Sequence, residues 1–317
     1  MRKNKAWMTV AAGLLCGLGW TAPGWAGESG IKVLSTTFPV HQLVRQVVEG
    51  KAGVTADLLL PSQLGCPHDY ALTPQDMLKL AQADVLVING LGLEEFLGAP
   101  VRKANPKMKV IDSSAGIRET LPYSDSAHHD CHAADHHDHG HPSHGGINPH
   151  LFASPRMTAR LALTIAAGLS EADPEGATLY FKNARAVAEK MNRMADELTA
   201  LGRRLKNNRI AQPHGVFDYL ARDMGLEIVA VLQAHGQEPA AAEMIRLIQA
   251  IRETKAGAIF TEPQYPDKIG RLLSKETGIP VARLDPVASG PENAPLDYYE
   301  RIMRQNMEIL GSTLGLQ

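Results

Sequence analysis

The segment DPEGATLYFKNARAVAEKMNRMADELTALGRRLKNN, residues 173–208, constrains the fold of this 317-residue chain more than any other. Asp173 suits a helix N-cap and Pro174 the first helical position, where a missing N–H costs nothing. No further proline interrupts the run, and Gly176 and Gly202 sit near its ends. Leu179, Ala186, Met191, Met194, Leu198, Leu201 and Leu205 recur broadly at helical steps. One helix over 174–206 would measure roughly 50 Å at ~1.5 Å per residue. That exceeds what one compact lobe needs, and no turn chemistry folds the run into a hairpin. The segment reads as a stiff rod joining two bodies.

Short β-branched runs flank the rod in two groups. The first is IKVLSTT (31–37), VTADLLL (54–60), DVLVIN (84–89) and KVIDS (109–113). The second is RIAQP (209–213), EIVAVL (227–232), GAIFTE (257–262) and PVARL (280–284). Helical patterns fall near 39–49, 74–82, 155–171, 215–224, 239–254, 266–276 and 295–314. Strands alternating with helices predict parallel sheets. The expected fold is α/β: two Rossmann-like lobes with parallel four-stranded sheets, joined by one long rigid α-helix. The expected lobes are 27–172, containing a loop at 125–146, and 208–317, with the linking helix over 173–207.

Residues 1–26 look like a secretory signal. Arg2, Lys3 and Lys5 precede an apolar run, VAAGLLCGLGW, and small residues end at Ala26. The run is too short, and too soon broken by Pro23, for a membrane span. Leu14 and Leu15 stand where a lipid-anchor signal at Cys16 would need small residues. Removing the signal takes three basic residues and leaves 29 against 34 acidic ones, a net charge near −5 with neutral histidines. No basic face is available for a nucleic-acid partner. An exported, periplasmic chain is expected. It retains Cys66 and Cys131, which an oxidising compartment would allow, but not require, to pair.

The 13 histidines are unevenly spread. His128, His129, His132, His136, His137, His139, His141 and His144 crowd one run beside Asp130, Asp135 and Asp138. The run contains Gly, Pro and Ser and has no helical or strand period. Such a string binds metal weakly, because each bound imidazole must be ordered at an entropic cost. His150 differs. It lies in NPHLFASP, where apolar packing resumes and a helix starts.

Open parallel sheets place ligand sites beyond the carboxyl ends of their strands. His68 follows the strand at 54–60, His150 the fourth strand and the His-rich run, His214 the strand at 209–213, and Asp285 the strand at 280–284. Singly, each has a plainer reading as a cap, a surface residue or an Asp-Pro turn. Together, three imidazoles and a carboxylate, two from each lobe, make a complete tetrahedral set for zinc.

The stretches GCPHDYALTPQDMLKLAQADVLVINGLGLEEFL, NPHLFASP, HGVFDYLARDMGLEIV, FTEPQYP and LDPVASG, in this order, resemble the zinc- and manganese-binding solute receptors of ABC importers. The resemblance runs from about residue 31 to 312. It implies two α/β lobes on one long helix, with the metal between them and His68, His150, His214 and Asp285 as ligands. Zinc-binding members are similar to this chain in having His at the third position, whereas manganese-binding members often carry Glu there. Imidazole-rich sets suit Zn2+, and manganese prefers oxygen.

Cys66 stands where the family more often has a small polar or acidic residue. Three readings stay open for it: a thiolate ligand, a disulfide with Cys131, or a buried inert thiol. Phe152, where relatives often have Trp, bears on packing, and Glu262 is expected to orient a ligand through hydrogen bonds. His41 and His235 are not assigned as ligands.

A four-ligand zinc site leaves no bound water to activate, and no H-E-x-x-H helix is present. Capture is therefore expected rather than catalysis. The expected protein is a monomeric receptor holding one tight Zn2+, with weak extra sites in the His-rich run. Its expected partner is an ABC importer permease, with a periplasmic metallochaperone as a further candidate. The alternatives are a manganese receptor of the same family, or a zinc chaperone or adhesin not coupled to transport.

Overall fold

The computed structural model describes residues 30–67, 70–124, 146–232 and 239–317, without the side chains at 99, 100 and 102. The signal segment with Cys16, His68, the eight histidines of 128–144, Cys131 and His235 lie outside the described residues.

Two all-parallel, four-stranded sheets organise the chain. The first holds β1 (Ile31–Ser35), β2 (Val54–Leu58), β3 (Val85–Ile88) and β4 (Lys109–Asp112), in the order β2-β1-β3-β4. The second holds β5 (Arg209–Gln212), β6 (Glu227–Val231), β7 (Ala258–Thr261) and β8 (Val281–Arg283), in the matching order β6-β5-β7-β8. The order reverses direction beside the first strand of each sheet, which is where open parallel sheets bind ligands. Every strand stops one or two residues before the end of its predicted run. Thr36, Thr37, Asn89 and Glu262 turn out of the ladders and are buried.

The helices are α1 (Phe38–Val47), α2 (Pro74–Gln82), α3 (Gly98–Ala104), α4 (Pro155–Ala172), α5 (Ala177–Gly202), α6 (Asp218–Met224), α7 (Ala241–Glu253), α8 (Lys268–Thr277) and α9 (Tyr298–Leu314). Local chemistry sets their starts. Thr73 and Asp76 form a reciprocal capping box on α2, and the Ser154 hydroxyl accepts from the Met157 N–H at the start of α4. The sequence gives no sign of α3, which opens on Gly98 without a side-chain cap and contains Pro100. Tertiary packing overrides propensity there.

The long helix is shorter than its pattern suggests. Residues Pro174–Gly176 form a 3₁₀ turn, tied by the Tyr180 hydroxyl donating to Asp173 Oδ2 at 2.6 Å. α5 then runs 26 residues, or about 39 Å at 1.5 Å per residue. Its last residue must be a glycine, because the chain passes close to α6: a Cβ at Gly202 would lie 1.9 Å from the Met224 carbonyl oxygen. Its buried stripe is Tyr180, Ala184, Val187, Ala188, Met191, Met194, Ala195 and Leu198. The phase is therefore offset from Leu179 and Ala186 in the first turns, where Ala186 is exposed.

α5 packs on α1 and α4 of the first lobe and on α6 and α9 of the second. One continuous apolar core follows, from Val33 through Met191 to Leu314. Each sheet covers its other face with a smaller cluster of its own, built around Leu59 and Leu80 in the first lobe and Ile259 and Leu273 in the second. Polar ties cross between the lobes as well. The Tyr299 hydroxyl of α9 donates to the Phe152 carbonyl at 2.8 Å, and Ser154 donates to Asp223 at 2.5 Å. Lobes that share a core resist the hinge motion usual between separate domains. No helix among the described residues is long and apolar enough to cross a membrane.

Candidate metal centre

Two histidines approach each other where the carboxyl ends of the two sheets meet. His150 comes from the segment between β4 and α4, His214 from the turn after β5. Their ring centroids are 5.0 Å apart, with the planes at 74°. Each Nδ1 is engaged by an oxygen, but the two oxygens differ.

His150 is fully buried. Its backbone N–H and its Nδ1 both meet the Asn148 side-chain oxygen, at 2.9 and 2.8 Å. An amide oxygen only accepts, so Nδ1 carries a proton, and in the neutral ring the lone pair is on Nε2. Asn148 is itself held by the other lobe. Its Nδ2 donates to the Gly215 carbonyl at 2.5 Å and to Asp218 Oδ2 at 2.8 Å. Its carbonyl accepts from the Tyr219 hydroxyl at 2.7 Å. Asp218 also accepts from Gln212 Nε2 at 2.7 Å and from the Ser124 N–H at 3.0 Å. On the other side, Asn89 donates to the Pro149 carbonyl at 2.9 Å. Asn89 is positioned by buried Glu94, which accepts from the Asn89 N–H at 2.6 Å, the Gly90 N–H at 3.1 Å and the Thr36 hydroxyl at 2.6 Å. Burial still pushes the Glu94 carboxyl up to about 7, against those hydrogen bonds.

His214 is held from within its own lobe. Its Nδ1 lies 3.0 Å from Glu262 Oε1, at the end of β7. Gln264 donates to the other Glu262 oxygen. Burial alone would lower the His214 pKa. The Glu262 charge, with hydrogen bonds to Glu262 and Cys66, outweighs it and lifts the imidazole well above its ordinary range. Burial pushes the Cys66 thiol up, against its hydrogen bond to His214.

Among the described residues, Cys66, His150 and His214 form one compact group, with a potential ligand atom of each within 4.8 Å of the others. Asp285 is not in it. Asp285 Oδ1 accepts the Val287 N–H at 2.8 Å, and Asn306 clasps its backbone with bonds of 3.1 and 2.7 Å. Val287 takes a left-handed φ of 63° in this turn, a strained conformation for a β-branched residue. Burial, with the Glu262 charge adding to it, raises the Asp285 carboxyl to about 6. His41 is buried in α1, where burial and Arg45 push it down to about 4.

Asn148, Asp218 and Gln212 are supports that the sequence reading did not single out. The signal for Asn148 was present in NPH: an Asn two residues before a ligand candidate often bonds the local backbone. Nothing in the sequence pairs Asp218 with Asn148, 70 residues away.

An imidazole held by an amide, a second imidazole backed by a carboxylate, and a thiol suit a borderline divalent metal such as zinc. The comparisons agree with that chemistry. The family model for the periplasmic component A of zinc-uptake complexes, ZnuA, matches residues 33–312. The chain is 27% identical to the high-affinity zinc uptake system protein ZnuA of Bacillus subtilis, across 92% of this chain and 90% of that one. It is 27% identical to the zinc-binding protein AdcA of Streptococcus pyogenes across 90% of this chain, but spans only 56% of that longer relative. The structure of the solute-binding protein FpvC of Pseudomonas aeruginosa in complex with Mn2+ superposes with a TM-score of 0.73 at 26% identity, over 90% of this chain and 98% of that one. The chain belongs to the ZnuA family of periplasmic metal-binding receptors.

Proposed function

We propose that this protein captures zinc outside the cytoplasm and delivers it to an ABC importer permease. The observation that carries the reading is the approach of His150 and His214 from opposite lobes, each with its Nδ1 engaged by an oxygen. Both rings would then offer Nε2 to one ion, and supports of this kind fix tautomer and orientation before the metal arrives. His68 is the third proposed ligand. The fourth position lies between Asp285, implied by the family resemblance, and Cys66, which is grouped with the imidazoles. The ion is cargo, and nothing in the proposed role calls for catalysis.

The shared core and the bonds between lobes favour local ordering on binding over domain closure. The histidines of 128–144 would gather or buffer zinc near the tight site. The proposed location is the periplasm, reached through the signal at 1–26. Among the relatives, ZnuA is named for zinc uptake and AdcA for zinc binding, while the FpvC structure is a complex with Mn2+. The imidazole-rich donor set favours zinc here. Cells lacking the gene should fail to grow in chelator-depleted medium and recover with added zinc but not manganese. Recovery with manganese alone would make this a manganese receptor.

A further inference from the structure

The loop carrying Cys66 is fixed to the opposite lobe. Gln63 donates to the Gly290 carbonyl at 2.6 Å, and the Gly290 N–H donates to the Ser62 carbonyl at 2.9 Å. Gly65 takes a φ of +77°, and a Cβ there would sit 3.1 Å from Gln264 Cγ and 3.2 Å from Tyr265 Oη. The backbone just before Cys66 is thus pressed against the segment that follows Glu262. This places a sulfur within 4.8 Å of potential ligand atoms on both imidazoles. A tetrahedral ion with bonds of ~2.0–2.3 Å holds its donors roughly 3.3–3.8 Å apart. A contraction of about an ångström would close the group on a metal. Asp285 stands outside the group, with Oδ1 in its own turn.

We propose that Cys66 is a metal ligand, occupying the position that Asp285 would otherwise fill, and that its thiolate makes the receptor select zinc against manganese. The inference rests on the receptor reading. On binding, a sulfur lone pair forms the S–Zn bond, the S–H bond breaks, and the proton leaves to solvent. A thiolate favours zinc and other soft or borderline ions, whereas manganese prefers carboxylate and water oxygen. With Glu262 behind His214, two negative charges would face a divalent ion through neutral imidazoles, which a buried site can hold without net charge.

The test uses the reduced exported chain with Co2+ as a spectroscopic stand-in for zinc. The wild type should show thiolate-to-cobalt charge-transfer absorption in the near ultraviolet. Cys131→Ser should keep that band and Cys66→Ser should lose it. Cys66→Ser should also weaken zinc binding by roughly a hundredfold, one ligand's share of a four-ligand site. Cys66→Asp should narrow the zinc-over-manganese affinity ratio by at least about tenfold, because carboxylate oxygen suits manganese. A wild-type complex with one tight cobalt and no charge-transfer band overturns the inference and leaves the receptor standing. A band that follows Cys131 also overturns it. A wild type that binds neither zinc nor cobalt tightly overturns both readings. The wild-type spectrum decides the question even if a variant fails to fold.

Discussion

The two lobes share a strand order, and among the described residues each presents one imidazole beyond the carboxyl ends of its strands, yet they hold those imidazoles differently. His150 rests on a neutral amide that is anchored across the interface by Asp218, Gly215 and Tyr219. His214 rests on a carboxylate of its own lobe, Glu262. Similar topology therefore supports two kinds of proposed ligand. The first is preorganised by geometry, so disturbing it should damage the lobe interface. The second is set by charge, so disturbing it should change how binding depends on pH.

The largest expected effect lies in the proposed ligands themselves. His150→Ala and His214→Ala should each weaken zinc binding by roughly a hundredfold in competition with a chromophoric chelator. Tolerance of either change would break the symmetry on which the comparison stands.

Next come the supports, where the lobes should diverge. Asn148→Ala should cost about 2–4 kcal/mol of stability in the metal-free protein, measured by denaturant unfolding. It removes several buried hydrogen bonds and leaves Asp218 short of a donor. Glu262→Gln should weaken zinc binding by ~10–100-fold, the usual effect of losing such a support. An equal stability loss in both variants would erase the distinction between geometric and electrostatic support.

The pH dependence sharpens the same contrast. In the metal-free protein His214 has a folded-state pKa raised well above its ordinary value. Stability from its pairing with Glu262 is then fully present below about pH 6.5 and lost as pH rises through the folded-state pKa. Zinc must displace that proton, so affinity should climb as pH rises through and beyond neutrality. Glu262→Gln should shift that climb towards acid, and a binding curve flat from mildly acid to mildly alkaline pH would contradict the role given to His214.

The smallest effect should come from deleting 128–144. The tight zinc should keep its affinity within about threefold, and the weak sites should vanish, because flexible ligands carry an ordering cost.

Much of this architecture was legible in the sequence. Alternating β-branched runs marked all eight strands of the described residues, and the proline-free run after Pro174 marked the long helix. Its true ends were not legible: the first turn is a 3₁₀ turn over Pro174–Gly176, and the close approach of Gly202 to Met224 is a tertiary contact. α3 was hidden for a similar reason, since it has no cap and a proline inside it. At the site, position after a strand singled out His150 and His214. It could not separate Asp285, drawn into its own turn by Val287 and Asn306, from Cys66, which lies beside both rings. The supports were least legible, since the bond from Asn148 to Asp218 joins residues far apart in the chain.

The most direct test of a tight site between the lobes is a zinc titration of the metal-free exported protein, repeated with the 128–144 deletion and with His214→Ala. One tight zinc that survives the deletion and weakens by about a hundredfold in His214→Ala is the predicted result. Tight binding that disappears with the His-rich run, and is indifferent to His214, would place the site in the loop and contradict the account.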